Sequence, residues 1–159
     1  MQMNNEQLEK RFRTDIKSAQ GVIAMATVLS LIYIVRFLFA KNFDFYFCTA
    51  VTEFLLKAAQ FSPDFNGSIP NAVSIVLIVF YLAACFAVVF LTQKKPERLW
   101  LALSIYSFDT VFMLWVKLSG FFGAFQSSDF IDIIFHLFVL AFLVVGIIGN
   151  KKLEKLLKK

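Results

Sequence analysis

The stretch that decides the fold is Leu99 to Leu118, LWLALSIYSFDTVFMLWVKL. As a helix its roughly twenty residues span about 30 Å, the thickness of a bilayer's hydrocarbon core. Its apolar residues do not alternate with a period of two, so a membrane β-strand is excluded. Three more runs read the same way: Gly21–Ala40, Pro70–Thr92 and Phe130–Gly149. Within lipid each backbone N–H and C=O has to be paired inside its own segment, which predicts four helices.

The composition agrees. Hydrophobic residues make up 59% of the 159, and 21 are Phe. Too few polar side chains remain to cover a soluble domain. The expectation is one integral membrane domain over residues 1–159, an all-α membrane protein with four transmembrane helices in an antiparallel bundle. Lys and Arg orient it. The first, third and fifth non-membrane segments carry Lys10, Arg11, Arg13 and Lys17, then Lys94, Lys95 and Arg98, then Lys151, Lys152, Lys155, Lys158 and Lys159. The other two carry only Lys41, Lys57 and Lys117, with the acids Asp44, Glu53, Asp64, Asp129 and Asp132. Both termini are therefore predicted to be cytoplasmic, in a membrane of the inner, cytoplasmic type. The net charge of +5 is a topology signal. A nucleic-acid partner would want basic residues interleaved with stacking aromatics on a wet face, and none is visible. The first run is longer than a signal-peptide core and lacks a small-residue cleavage site, so it is expected to be retained.

Between the spans lie shorter elements. Residues 1–19 are expected to hold a cytoplasmic amphipathic helix, with Leu8, Phe12 and Ile16 as its apolar stripe, or equally a solvated extension of the first span. It suits anionic lipid, as does the basic tail 150–159, which continues the last helix. Residues 47–60, FCTAVTEFLLKAAQ, read as an interfacial helix. Thr49, Glu53, Lys57 and Gln60 face one way, and Phe54, Leu55, Ala58 and Ala59 the other. It is expected to lie flat on the outer surface or to cap the bundle, stopping at Pro63, with FNGSIP as the turn. Ser128 is the expected N-cap of the fourth span, with Asp129 in its first turn.

Asp109 is about ten residues from either end of its run, near the bilayer midplane. A charged Asp there costs about 2.5 to 3.5 kcal/mol on the insertion scale, so it should face the interior and have a partner. In DFIDIIFH, Asp129, Asp132 and His136 are spaced three and four apart and share a face. Folding the third and fourth spans about a loop centre near Ala124 brings Asp109 and His136 within about one turn in depth. Tyr106 is one turn inward of Asp109. Ser74, Tyr81, Cys85 and Thr92 form a second polar stripe on the second span, flanked by Val88 and Ala84. Thr27, Ser30, Tyr33 and Arg36 line the first, and Arg36 is expected to pair with Asp132 or Asp129.

Together these residues outline an outward-open funnel. Asp129, Asp132, Arg36 and Glu53 stand at its mouth, His136 lies lower, and Asp109 with Tyr106 forms the bottom. Carboxylates and an imidazole stacked by depth suit transport of protons, cations or a small solute by a homo-oligomer. The bland reading is structural: an intramembrane acid bonded to its neighbours, in an accessory subunit of a larger membrane complex. A third reading is an enzyme acting on a lipophilic substrate, with His136 as base. No nucleotide, hydrolase or metalloprotease motif is present, and no cofactor is indicated. Asp129, Asp132 and His136 have the reach for a divalent cation, although one His in the chain argues against zinc. Cys48 and Cys85 fall at different depths, so no disulfide is expected.

Overall fold

The computed structural model describes residues 4–40, 49–61, 68–120, 125–127 and 129–158. They form five α-helices, with no strand among the described residues: α1 (Asn5–Ala40), α2 (Ala50–Phe61), α3 (Ser68–Lys94), α4 (Leu99–Leu118) and α5 (Asp129–Leu157). Four of these, all but α2, are long and apolar enough to cross a membrane.

α1 has 36 residues, so residues 5–19 are the first four turns of one continuous rod, an extension of the first span. The physical reason is a partner. Ile16 and Ala19 are buried against α5, where Gly146, Gly149 and Leu153 face them. The two backbones come very close. A methyl group at Gly146 would overlap the Cβ of Ala19, and one at Gly149 would stand 3.1 Å from the Cβ of Asp15. Small residues at a helix crossing permit this approach, and dispersion across the contact holds it. At about 1.5 Å per residue α1 is about 54 Å long and α5 about 44 Å, more than the hydrocarbon core requires. Their excess lengths run side by side, with the Lys152 ammonium 5.9 Å from the Phe12 ring centroid.

α3 begins at Ser68, so SIP of the expected turn is already helical; Pro63 and residues 62–67 lie outside the described residues. The same holds for Ser128, Ala124 and Cys48. Lys95 is extended, as a residue before proline prefers, and Pro96–Arg98 form one 3-10 turn leading into α4. α4 ends where Gly120 adopts a left-handed φ of 67°.

Two apolar clusters fill the interior. The larger joins Ile23, Ala26, Leu99, Ala102, Tyr106, Phe135, Val139 and Leu143. The smaller joins Tyr33 of α1 and Leu56 of α2 with Ile78 and Leu82 of α3. Outward faces are apolar too: Phe80 is 70% exposed and Ile134 66%. Polar groups mark levels along the bundle. Gln20 donates to the Thr92 carbonyl at one end (2.6 Å), Thr27 meets Tyr106 further along (3.5 Å), and Lys117 meets Asp132 near the other end (3.1 Å).

The glycine crossing is testable by heat denaturation in detergent. Gly146→Leu has to push α1 from α5 and is expected to cost about 1–3 kcal/mol. Gly21→Ala, with nothing within 4 Å of the new methyl, is expected to leave stability unchanged or raise it by up to about 1 kcal/mol.

Candidate functional site

Asp109 is completely buried, and four donors or proton partners surround its carboxylate. Ala50 N–H donates to Oδ2 and Val51 N–H to Oδ1, both at 3.0 Å. Tyr81 O–H donates to Oδ1 at 3.0 Å, and His136 Nε2 lies 2.9 Å from Oδ2. The first two are the opening N–H groups of α2, which have no partner within their own helix. A carboxylate bridging both meets the positive end of the helix dipole.

α2 is anchored among the long helices by its N-terminus. Its first turn is inserted, with Thr49, Ala50, Thr52 and Leu56 all buried. Thr49 N–H donates to Ser30 Oγ at 2.9 Å, and the Thr49 and Thr52 hydroxyls are 2.8 Å apart. α1 passes this level at Ser30 and continues ten residues, about 15 Å, to Ala40. Thr49 thus stands well back inside from the end of α1.

His136 is held at both nitrogens. Nδ1 lies 2.8 Å from the Asp132 carbonyl oxygen, which can only accept, so Nδ1 carries a proton. Nε2 faces the Asp109 carboxylate. Either Nε2–H donates to an ionised Asp109, or a protonated Asp109 donates to Nε2. In both descriptions the Nε2···Oδ2 contact holds one proton, and the pair as a whole is neutral. Burial excludes the water that would otherwise screen or replace this bond.

One to about two helical turns away lies a group of five charges. The Lys117 ammonium is 2.6 Å from Asp129 Oδ1, 3.1 Å from Asp132 Oδ2 and 3.8 Å from Glu53 Oε1. Glu53 also pairs with Lys57. Asp129 is further fixed by the Gln126 N–H at 2.8 Å. Lys117 is thus the partner of both acids, in place of Arg36, which sits on the exposed face of α1. Both cations are near the ends of their helices. The rotation of α4 turns Lys117 towards α5, and that of α1 turns Arg36 outward. Glu53 and Lys57 are themselves half-buried here.

Of the other expected site residues, Tyr106 lies elsewhere. Its hydroxyl points to α1, 3.4 Å from the Ile23 carbonyl, and gives no bond to Asp109. Tyr81, expected on a secondary stripe, is the tyrosine at the carboxylate, and Cys85, one turn along α3, is buried. Ser74, two turns away on α3, is half-buried and outside the group. The sequence reading misses Ala50 and Val51, which act through backbone N–H groups common to nearly all residues. It also misses Lys117. The signal available was Thr49, a good N-cap type, which marks where α2 begins but not where it points.

Among the described residues no group of three or more His, Cys, Asp or Glu side chains is placed to hold a metal ion. Both nitrogens of His136 are engaged, and Lys117 already supplies the cation between the acids. The chain matches no family model, no curated protein and no solved structure, so its chemistry has to be read from its own geometry.

Removing the central cation tests the charged group. Lys117→Met is expected to destabilise by about 2–4 kcal/mol in a detergent melt, because Asp129 and the buried Asp132 lose their cation. Adding Asp132→Asn is expected to recover part of this, with a coupling of about 0.5–3 kcal/mol across the double-mutant cycle.

Proposed function

We propose that this chain is an integral protein of an inner-type membrane, with both termini cytoplasmic and its four spans alternating in direction. In that membrane it acts as a proton-handling transport protein, working as a homo-oligomer. The observation that carries this reading is the buried Asp109–His136 pair, which holds one proton near mid-span. Such a pair can gain or lose a proton without leaving the low-dielectric interior, which is what a relay group has to do. His136 also connects to the Asp132 backbone, one turn nearer the charged group of Glu53, Lys57, Lys117, Asp129 and Asp132. Tyr81 extends the hydrogen-bonded set on the opposite side.

Among the cargoes that fit a depth-stacked set, the proton fits these contacts best. The oxygens of Asp109 are taken by two N–H groups, a hydroxyl and an imidazole, and a metal cation would have to displace them. A catalytic base is not what the contacts provide either, since both nitrogens of His136 face protein acceptors. The orientation rests on the cations at the two ends and the loop acids. Lipid covers the apolar outer faces, and anionic headgroups meet the basic termini.

A second reading has its own support. Four bonds to one carboxylate are also what a structural clamp needs, and a clamped bundle with apolar outer faces suits an accessory subunit. Native mass spectrometry after gentle extraction from the host membrane separates the two. A homo-oligomer is expected; a stoichiometric foreign subunit would favour the accessory reading.

Flux measurements in liposomes test the site. Asp109→Asn is expected to reduce proton flux at least about tenfold and to flatten its pH dependence. Tyr81→Phe, which removes one bond to Oδ1, is expected to change flux more than Tyr106→Phe, whose hydroxyl serves α1. Unchanged flux in Asp109→Asn would end the transport reading.

A further inference from the structure

Extending the membrane placement proposed above, on which it rests, we propose that the outer surface of this bundle fits a bilayer whose hydrocarbon core is about 28 Å thick. Trp100 and Trp115 stand at the two edges of that core, and anionic lipid gathers at the Trp100 end. The support is a repeated spacing. Lys17 and Arg36 on α1, Arg98 and Lys117 about α4, and Asp132 and Lys151 on α5 are each 19 residues apart. At helical rise every one of these intervals is about 28.5 Å.

Contacts gather these charges into two belts. Ala19, Leu99 and Gly146 meet at one level. Counted outward from that level, Arg98 is one residue on, Lys17 two and Lys151 five. All three are within about 7.5 Å of it, the depth of one headgroup layer. Lys94 and Lys95 close the same end of α3. At the other end Lys117 joins Asp129, Asp132 and Glu53, so α2, α4 and α5 share a level there. Arg36 is 17 residues from Ala19 and Lys117 is 18 from Leu99, which brings α1 to the same height.

Between the belts the surface is apolar. α4 turns Trp100, Ser104, Phe108, Val111 and Trp115 outward. The Ser104 hydroxyl is satisfied by the Trp100 carbonyl at 3.0 Å. Both tryptophans are 56% exposed. Trp100 lies two residues inside Arg98, and Trp115 two inside Lys117. An indole prefers this depth, where its apolar body meets the chains and its N–H meets the headgroups.

The belts differ in charge. Among the described residues, the Trp100 belt sets the cations Lys17, Lys94, Lys95, Arg98 and Lys151 against the acids Asp15 and Glu97. In the other belt Arg36, Lys57 and Lys117 balance Glu53, Asp129 and Asp132. An anionic leaflet therefore fits the first end and gains nothing at the second.

The first test uses the unaltered full-length protein in neutral phosphatidylcholines whose cores range from about 22 to about 36 Å, wider than the usual span. Its melting temperature is expected to peak at about 28 Å and to fall by at least about 3 °C at either extreme. A flat or monotonic series would overturn the fit. The second test reads depth. The chain has two tryptophans, so Trp115→Phe and Trp100→Phe each leave one reporter. For both, lipid brominated near the headgroup is expected to quench more than lipid brominated near the chain end. The reverse order at either residue would leave the membrane placement standing and show the belts to be wrong. Brominated phosphatidylglycerol in place of the brominated neutral lipid is expected to raise quenching of Trp100 at least about twofold and to leave Trp115 unchanged. Lys94→Gln with Lys95→Gln is expected to shrink that difference. An equal response of the two tryptophans would overturn the anionic collar. If no lipid quenches either tryptophan while aqueous acrylamide quenches both, the membrane placement itself falls.

Discussion

Everything in this bundle is arranged around a carboxylate shut away from the protein surface. An ionised acid in a low-dielectric interior has to be surrounded by donors or share a proton with a neighbour. Asp109 does both. It reaches α2 through two backbone N–H groups, α3 through the Tyr81 hydroxyl and α5 through His136, all within 3.0 Å. One side chain on α4 thus bonds to three other helices, and α1 joins through Ser30 and Thr49. α2 illustrates the dependence. Helices of this length are marginal alone, and its buried first turn needs the acceptors that Asp109 and Ser30 supply.

Much of the architecture was legible because the membrane is a demanding solvent. Run length and apolarity identify Leu99–Leu118 as a helix with little dependence on detail, and depth arithmetic places Asp109 near His136. Other features were not legible, for identifiable reasons. Periodicity says which face of residues 47–60 is apolar, but a helix lying on a surface and one inserted by its first turn share that pattern. Backbone donors such as those of Ala50 and Val51 have no residue signature. The choice of Lys117 over Arg36 depends on helix rotation, and the choice of Tyr81 over Tyr106 on which neighbour each helix face meets. Gly21 looks like a break between an amphipathic segment and a span, yet α1 runs through it because α5 supplies a continuous partner through Gly146 and Gly149.

The two ends of the molecule are stabilised by different physics. At one, α1 and α5 meet backbone to backbone over small residues, and basic side chains surround them. At the other, Lys117 gathers Asp129, Asp132 and Glu53 within 3.8 Å. The proton-holding pair lies between a tightly packed end and a charged one. His136 links the pair towards the charged end through its hydrogen bond to the Asp132 carbonyl.

The most direct test of this account is nitrogen-15 NMR of the imidazole, and the chain has a single histidine, so one labelled ring reports alone. The account predicts that Nδ1 of His136 is protonated at neutral pH and that the Nε2 signal changes when Asp109 is replaced by Asn. A ring with a bare Nδ1, or an Nε2 signal indifferent to Asp109, would contradict the shared proton on which the fold and the proposed function both depend.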